Sequence, residues 1–169
     1  MKKILILGAP GSGKTFLSTE LSKKLSIPVY HLDNYYYKSG WQVVNRDERH
    51  ARQREIIKTD SWIIDGNSIS TLAERLQQAD MVIFLDIPLW RRMIRVIGRD
   101  CNPWVKNRNL PVGCTFSLKQ FCKFFISMVV QRKDKDKKQK MLQIIVQHPQ
   151  VTFVHIKSSK DFKWFFAAC

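Results

Sequence analysis

Short apolar runs alternate with stretches whose apolar residues recur at helical spacing along most of the chain. The runs at 3–7, 29–32, 62–64, 81–85 and 151–155 read as strands: each is brief and is bounded by polar or turn-forming residues. Between them the periodicity predicts helices over about 14–25, 46–58, 70–77, 89–99, 117–131 and 136–147, with a short one near 159–167. Pro28, Pro88 and Pro149 punctuate the entries to these elements, as a residue lacking an N–H should. Such alternation implies an α/β fold in which helices cover a parallel sheet. The first four runs end at or just before Gly8, Asp33, Asp65 and Asp86. Ligands of open α/β sheets bind outside the carboxyl ends of the strands, so these four residues are expected around one crevice.

Composition narrows this picture without changing it. A length of 169 residues fits one domain, and 44% hydrophobic with 25% charged residues leaves no room for a large disordered region. Four cysteines, Cys101, Cys114, Cys122 and Cys169, have neither C-x-x-C pairing nor a histidine at ligand spacing, which argues against a zinc site or a disulfide framework. The longest apolar stretch, 124–130, is interrupted by Ser127 and falls far short of the ~20 residues of a membrane span. A soluble, cytoplasmic protein is expected. The net charge of +15 is the unusual quantity, and it is unevenly placed. Residues 1–90 carry 12 basic and 10 acidic side chains (+2), residues 91–140 carry 14 and 3 (+11), and the remainder 3 and 1 (+2). The run at 131–140 reads as a solvated helix face with Asp–Lys pairs. Residues 99–117, with Pro103, Pro111 and Gly113, are too long for a routine connection and read as a lid.

The candidate chemistry begins at Gly8-Ala9-Pro10-Gly11-Ser12-Gly13-Lys14-Thr15, which fits the phosphate-binding pattern G-x-x-x-x-G-K-[ST] at every fixed position. Its glycines let the backbone wrap so that successive N–H groups face phosphate oxygens, and the following helix adds its positive end. Lys14 is then placed to bridge the β- and γ-phosphates of ATP, with the Thr15 hydroxyl on Mg²⁺. Two strand-end carboxylates compete for the same metal: Asp86 follows the more apolar strand, and Asp65 precedes Gly66, which permits close approach. Arg91, Arg92, Arg95 and Arg99 form a like-charged stripe on one predicted helix, which calls for an anion; Arg95 and Arg99 are the candidates for the nucleotide, with Arg108 and Arg132 as further contributors. Asp33 stands beyond the second strand, where a carboxylate can take the proton of an attacking hydroxyl, and Tyr35, Tyr36, Tyr37 and Trp41 offer flat surfaces beside it. His31, alternating with Tyr30 and Leu32, reads as a structural histidine.

With those residues quoted, the chain resembles the adenylate-kinase-like group of P-loop kinases, and within it the DNA topology modulation proteins. The resemblance runs through Gly8–Thr15, residues 27–33, Trp41, residues 62–67, 71–76, Ala79-Asp80, residues 83–88 and the arginine-rich helix after them. It implies a three-layer P-loop fold with a five-stranded parallel sheet of order 2-3-1-4-5, ATP with Mg²⁺, and a lid. It also implies Lys14 and Thr15 at the nucleotide, Asp65 as a water-mediated metal carboxylate and Arg99 as a catalytic lid arginine. The departures matter as well. Adenylate kinases follow the third-strand Asp-Gly with Phe-Pro-Arg, whose arginine grips a phosphate on the acceptor; here Asn67-Ser68-Ile69 follows, with Arg75 a candidate out of position. The second-strand exit offers Asp33 where an arginine is expected, as in kinases acting on hydroxyls. A monophosphate acceptor is already a nucleophile and needs cations, whereas an alcohol needs a base, so the sequence tilts toward an alcohol.

The leading expectation is a cytoplasmic small-molecule kinase whose partners are ATP and a nucleoside, nucleotide or similar acceptor. A nucleic-acid-associated topology modulation protein that uses ATP binding as a switch is the alternative, permitted by the +11 segment but not favoured, since no DNA-reading motif is present. A nucleotide sensor without turnover is the third reading.

Overall fold

The computed structural model describes residues 2–100, 121–122, 125–126, 128 and 132–168. In chain order these form β1 (Lys3–Gly8), α1 (Lys14–Leu25), β2 (Val29–His31), α2 (Asp33–Tyr36), β3 (Tyr37–Lys38), β4 (Gln42–Val43), α3 (Arg46–Lys58), β5 (Trp62–Asp65), α4 (Leu72–Gln78), β6 (Met81–Leu85), α5 (Leu89–Asp100), α6 (Arg132–Val146), β7 (Thr152–Ile156) and α7 (Ser159–Ala168). Five strands pair in the order β2-β5-β1-β6-β7, all parallel, while β3 and β4 form a separate antiparallel pair. Counting only the strands of the main sheet, this is the expected order 2-3-1-4-5. Cys101, Cys114, Cys169, Arg108 and residues 101–117 of the expected lid lie outside the described residues, as does the side chain of Arg132.

The period of two in the strands builds the layers. On β1, Leu5 and Leu7 face one side of the sheet with Trp62, Ile64, Val82 and Phe84; they pack against Ile56 and Ile57 of α3, Leu72 and Leu76 of α4, and Met141 and Ile145 of α6. Ile4 and Ile6 face the other side with Ile63, Ile83 and Leu85, against Leu17 and Leu21 of α1 and Phe165 of α7. Both faces are therefore dry, which is why β1 reads as a continuous apolar run rather than an alternating one. At roughly 25 cal/mol per Å² of apolar surface removed from water, these two layers supply the main driving force of the fold.

Sheet register then decides what meets at the carboxyl ends. Ile6 lies beside Asp65, His31 beside Asp65 on the other flank, and Gly8 beside Leu85, so the exits of four strands are level. Beyond β5 the chain must leave the sheet without lifting off the exit of β2. Gly66 does this at φ 150°, with its N–H on the Ile6 carbonyl at 3.3 Å, while Leu32 donates to the Asp65 carbonyl at 2.8 Å. A Cβ at Gly66 would stand 2.6 Å from the Leu32 Cβ. Arg75 of α4 holds the same turn from beneath. It is fully buried and donates to the carbonyls of Gly66 (3.2 Å), Ser68 and Thr71 (3.4 Å). Burial lowers its pKa to about 10, which leaves it charged at neutral pH.

The differences from expectation are local. β5 includes Asp65 itself, α4 starts at Leu72 rather than 70 because residues 66–71 make the turn just described, and α6 starts at Arg132 rather than 136. Neither α2 nor the β3–β4 pair was expected. Trp41 takes a φ of 63° beside Gly40 at 71°, and its ring meets Tyr37 edge-on at 5.2 Å. The expected helix at 117–131 is represented by its described residues 121–122, 125–126 and 128, which are helical.

Replacing Gly66 by Ala forces the Leu32 side chain and the β5 exit apart in a backbone region that disfavours side chains. The expected loss is about 1–3 kcal/mol of unfolding free energy in urea denaturation, with an unchanged m-value.

Candidate functional site

The loop between β1 and α1 is the floor of the site. No acidic residue occupies the first turn of α1 and no side chain caps it, so the first N–H groups of the helix and its positive dipole end are available to an anion. Most carbonyls of the same loop are individually held. Asn67 clasps Gly8 twice, accepting from its N–H at 3.1 Å and donating to its carbonyl at 2.6 Å. The Ala9 carbonyl accepts from the Ser12 N–H (3.1 Å) and from Lys14 Nζ (3.4 Å). Arg92 Nη1 reaches the Pro10 carbonyl at 3.3 Å, and Arg95 Nη1 the Ser12 carbonyl at 2.8 Å. Gly11 closes the packing: a Cβ there would be 2.9 Å from the Arg92 carbonyl oxygen and from Val96 Cγ2. Two members of the arginine stripe thus brace the loop from α5. Arg91 instead lies over the Trp90 ring at 4.9 Å, and Arg99 is exposed near the end of α5.

Three strand-end carboxylates surround this floor, in three different settings. Asp65 is buried, and its Oδ2 accepts from Thr15 Oγ1 at 2.9 Å and lies 3.1 Å from His31 Nδ1. Asp86 is bound by Lys138 of α6, whose Nζ donates to both carboxylate oxygens at 2.8 and 2.7 Å, and His155 Nε2 lies 3.1 Å from Oδ2. Burial works against the charge on Asp86, but Lys138 and then His155 outweigh it and hold the carboxyl below its ordinary range. Asp33 opens α2 and remains accessible from the crevice mouth. The protein atoms packed around it desolvate the carboxyl and push its pKa above the ordinary carboxylate range, against the pull of Lys14; Asp65 adds to the rise, while His31 and Lys137 oppose it.

Beside the loop lies a cavity of about 370 Å³. Ala9 and Pro10 of the floor, Asn67, Asp86, Arg92 and the neighbouring Lys137 and Lys138 supply its polar and basic lining. Lys137 belongs both to this lining and to the field of Asp33, which is not itself a lining residue. The aromatic cluster has a mixed fate. Tyr36 donates its hydroxyl to Ser68 Oγ at 3.3 Å and carries the Arg49 guanidinium over its ring at 4.2 Å, whereas Tyr35 packs on the core.

The expected site residues Gly8–Thr15, Asp65, Asp86, Arg95 and Asp33 therefore do converge. Arg75, considered for an acceptor phosphate, is sealed under the Gly66 turn. Lys137, Lys138, Asn67 and His31 were not singled out for the site. Their signals were present: Lys137 and Lys138 stand one helical turn before the buried Met141, hence on the same side of α6, and Asn67 follows Asp65-Gly66.

The donor set suits a hard cation that brings most of its own oxygen ligands. Thr15 and one buried carboxylate are what Mg²⁺ takes from a protein when phosphates and water complete the octahedron. Among the described residues no group of three or more His, Cys, Asp or Glu is placed to hold a metal alone. No helix among them is long and apolar enough to cross a membrane.

Comparison with known proteins agrees with this architecture. No family model matches the chain. It is 30% identical over 102 residues to the uncharacterized protein YqaC of Bacillus subtilis (59% of this chain, 57% of that protein). A shikimate kinase of Limosilactobacillus fermentum is 30% identical over 86 residues (44% of this chain, 50% of the enzyme). The chain thus spans about half the length of these curated relatives. Among solved structures, the shikimate kinase of Acinetobacter baumannii in complex with shikimate superposes with a TM-score of 0.55 at 14% identity, covering 99% of this chain and 93% of that one. The shikimate kinase of Bacteroides thetaiotaomicron gives 0.54 at 14% identity, covering 98% and 94%. The shared property is the P-loop fold of these kinases.

The environment of Asp33 has a measurable cost. A carboxyl whose pKa is raised on folding binds its proton more tightly in the native state, so its contribution to stability falls as pH rises from the ordinary value of about 3.9 through the raised one. Asp33→Asn should therefore raise the melting temperature at pH 7, and the gain should vanish below about pH 3.9. Differential scanning fluorimetry across pH 3.5–8 checks the sign.

Proposed function

We propose that the chain is an ATP-dependent kinase that transfers the γ-phosphoryl group to the hydroxyl of a small-molecule acceptor. One observation carries this reading: a carboxyl with a raised pKa, Asp33, stands in the field of the phosphate-loop lysine and of Lys137, a lining residue of the cavity of about 370 Å³ against that loop. A base poised nearer neutrality is what an alcohol requires, and phosphoryl transfer asks for little else beyond positioning and charge.

In this reading the N–H groups of Gly8–Thr15 and the start of α1 hold the triphosphate, and Lys14 neutralises charge at the β- and γ-phosphates. Thr15 and Asp65 hold Mg²⁺, which when bound balances charge on the phosphate oxygens. Asp86 is the weaker metal candidate because Lys138 already occupies both of its oxygens. Arg95 and Arg99 serve the nucleotide, Arg95 with the donors left after its bond to the Ser12 carbonyl and Arg99 as a catalytic contact to the transferred group. Asp33 accepts the acceptor's hydroxyl proton as its oxygen bonds to the γ-phosphorus and the bond to the β-phosphate oxygen breaks. The similarity in sequence and fold to shikimate kinases supports a small-molecule kinase. Nucleosides and nucleotides, the acceptors suggested by the adenylate-kinase-like resemblance, are tested as classes beside other small alcohols. Membership of the DNA topology modulation group and a cytoplasmic setting remain parts of this proposal. Its nucleic-acid alternative draws on net charge, part of which is already neutralised within the chain where Lys138 pairs with Asp86.

Purified protein should form ADP from Mg·ATP faster in the presence of one class among nucleosides, nucleotides, sugars, polyols and hydroxy acids. Lys14→Ala should lower kcat about 10²–10³-fold and Asp33→Asn about 10²–10⁴-fold. In kcat/KM the acid limb should fall above the ordinary carboxylate range and disappear in Asp33→Asn. Coupled ADP detection and a pH series read these outcomes; an acceptor panel without stimulation overturns the reading.

A further inference from the structure

His31 stands where sheet register makes it the cross-strand neighbour of Asp65, and its Nδ1 lies 3.1 Å from the oxygen that Thr15 Oγ1 also reaches, at 2.9 Å. An ionised carboxylate only accepts hydrogen bonds, so at this distance the imidazole carries its hydrogen on Nδ1. Oδ2 of Asp65 is thereby fixed from two sides, by a donor from α1 and a donor from β2. The other carboxylate oxygen, Oδ1, has no hydrogen bond among the described residues. The pair is well sheltered, with side-chain exposures of 15% for His31 and 6% for Asp65, so solvent cannot easily stand in for the histidine.

We infer that His31 is a positioning residue for the metal: its Nδ1–H locks the rotamer of Asp65 so that the remaining oxygen meets the hydrated cation held at Thr15. This rests on the Thr15–Asp65 metal reading above. A carboxylate on a strand end has its Cα fixed by the sheet but its terminal torsion is broad, and one bond from Thr15 leaves that torsion a pivot. The second donor removes the pivot. Outer-shell partners of this kind are worth about 10–100-fold in metal affinity in well-studied sites. A histidine kept only for packing in the sheet has no such effect on the metal.

The test uses the whole chain, β,γ-imido-ATP and a Mg²⁺ titration followed by calorimetry, with no turnover involved. His31→Ala should leave binding of the metal-free analogue within about twofold of wild type and weaken the Mg²⁺-dependent gain in affinity about tenfold or more. His31→Asn, whose amide N–H can occupy the place of Nδ1–H, should recover most of the loss. A Mg²⁺ dependence in His31→Ala equal to that of wild type overturns the inference, as does an Asn variant no better than Ala. Loss of metal-free binding in His31→Ala assigns the residue a structural role and likewise overturns it. Wild-type protein that binds the analogue with no Mg²⁺ dependence instead overturns the metal reading on which the inference stands.

Discussion

A loop that turns its N–H groups toward one point must turn its carbonyls the other way, and carbonyls facing protein need donors. Most of the site's architecture answers that demand. The side chain of Asn67 covers Gly8, Lys14 and the Ser12 N–H cover Ala9, Arg92 covers Pro10, Arg95 covers Ser12, and the first full turn of α1 covers Gly13. Donors come from α1, from the turn after β5 and from α5, so the loop is the point at which three elements are tied together. Its rigidity is borrowed from its surroundings, and the like-charged stripe on α5, unfavourable in an isolated helix, is offset by the acceptors it meets.

The three carboxylates illustrate how one residue type is turned to different ends by its neighbours. Asp65 receives hydroxyl and imidazole donors, Asp86 an ammonium and an imidazole, and Asp33 a desolvated berth with cations at a distance. The settings of Asp86 and Asp33 move their acidities in opposite directions, the usual sign that groups divide the labour of a site. Here Asp65 and Asp86 are held by direct donors, while burial raises the pKa of Asp33.

Much of this was legible in the residues. The phosphate loop, the four level strand ends and Asp33, Asp65 and Asp86 at those ends all follow from periodicity and a fixed-spacing motif, because a parallel sheet leaves few places for its strand exits. The resemblance supplied the sheet order. What stayed hidden depended on partners distant in sequence. Nothing near Lys138 announces Asp86, 52 residues away, and a lysine-rich helix end looks solvated until the sheet is set beneath it. Arg75 read as an out-of-position candidate for an acceptor's phosphate because the three acceptors that bury it are carbonyls, which every residue has. His31 looked structural, and its cross-strand neighbour was the missing fact. The aromatic run 35–37 fits stacking and core alike, and the short α2 with the β3–β4 pair divided it between the two.

The basic segment acquires another meaning once its side chains are located. Lys137, Lys138 and Arg92 line a concave, partly dry recess beside the phosphate loop, and Arg95 stands on that loop from α5. Asp86 shares this lining and pairs with Lys138, so the recess keeps a net positive charge; low-dielectric walls gather its field lines and send them out through the mouth. The protein therefore acts on an approaching anion before any contact forms, over a distance set by the ionic atmosphere, about 8 Å in physiological salt and shorter in more. How often a productive encounter occurs becomes a property of the medium as well as of the fold.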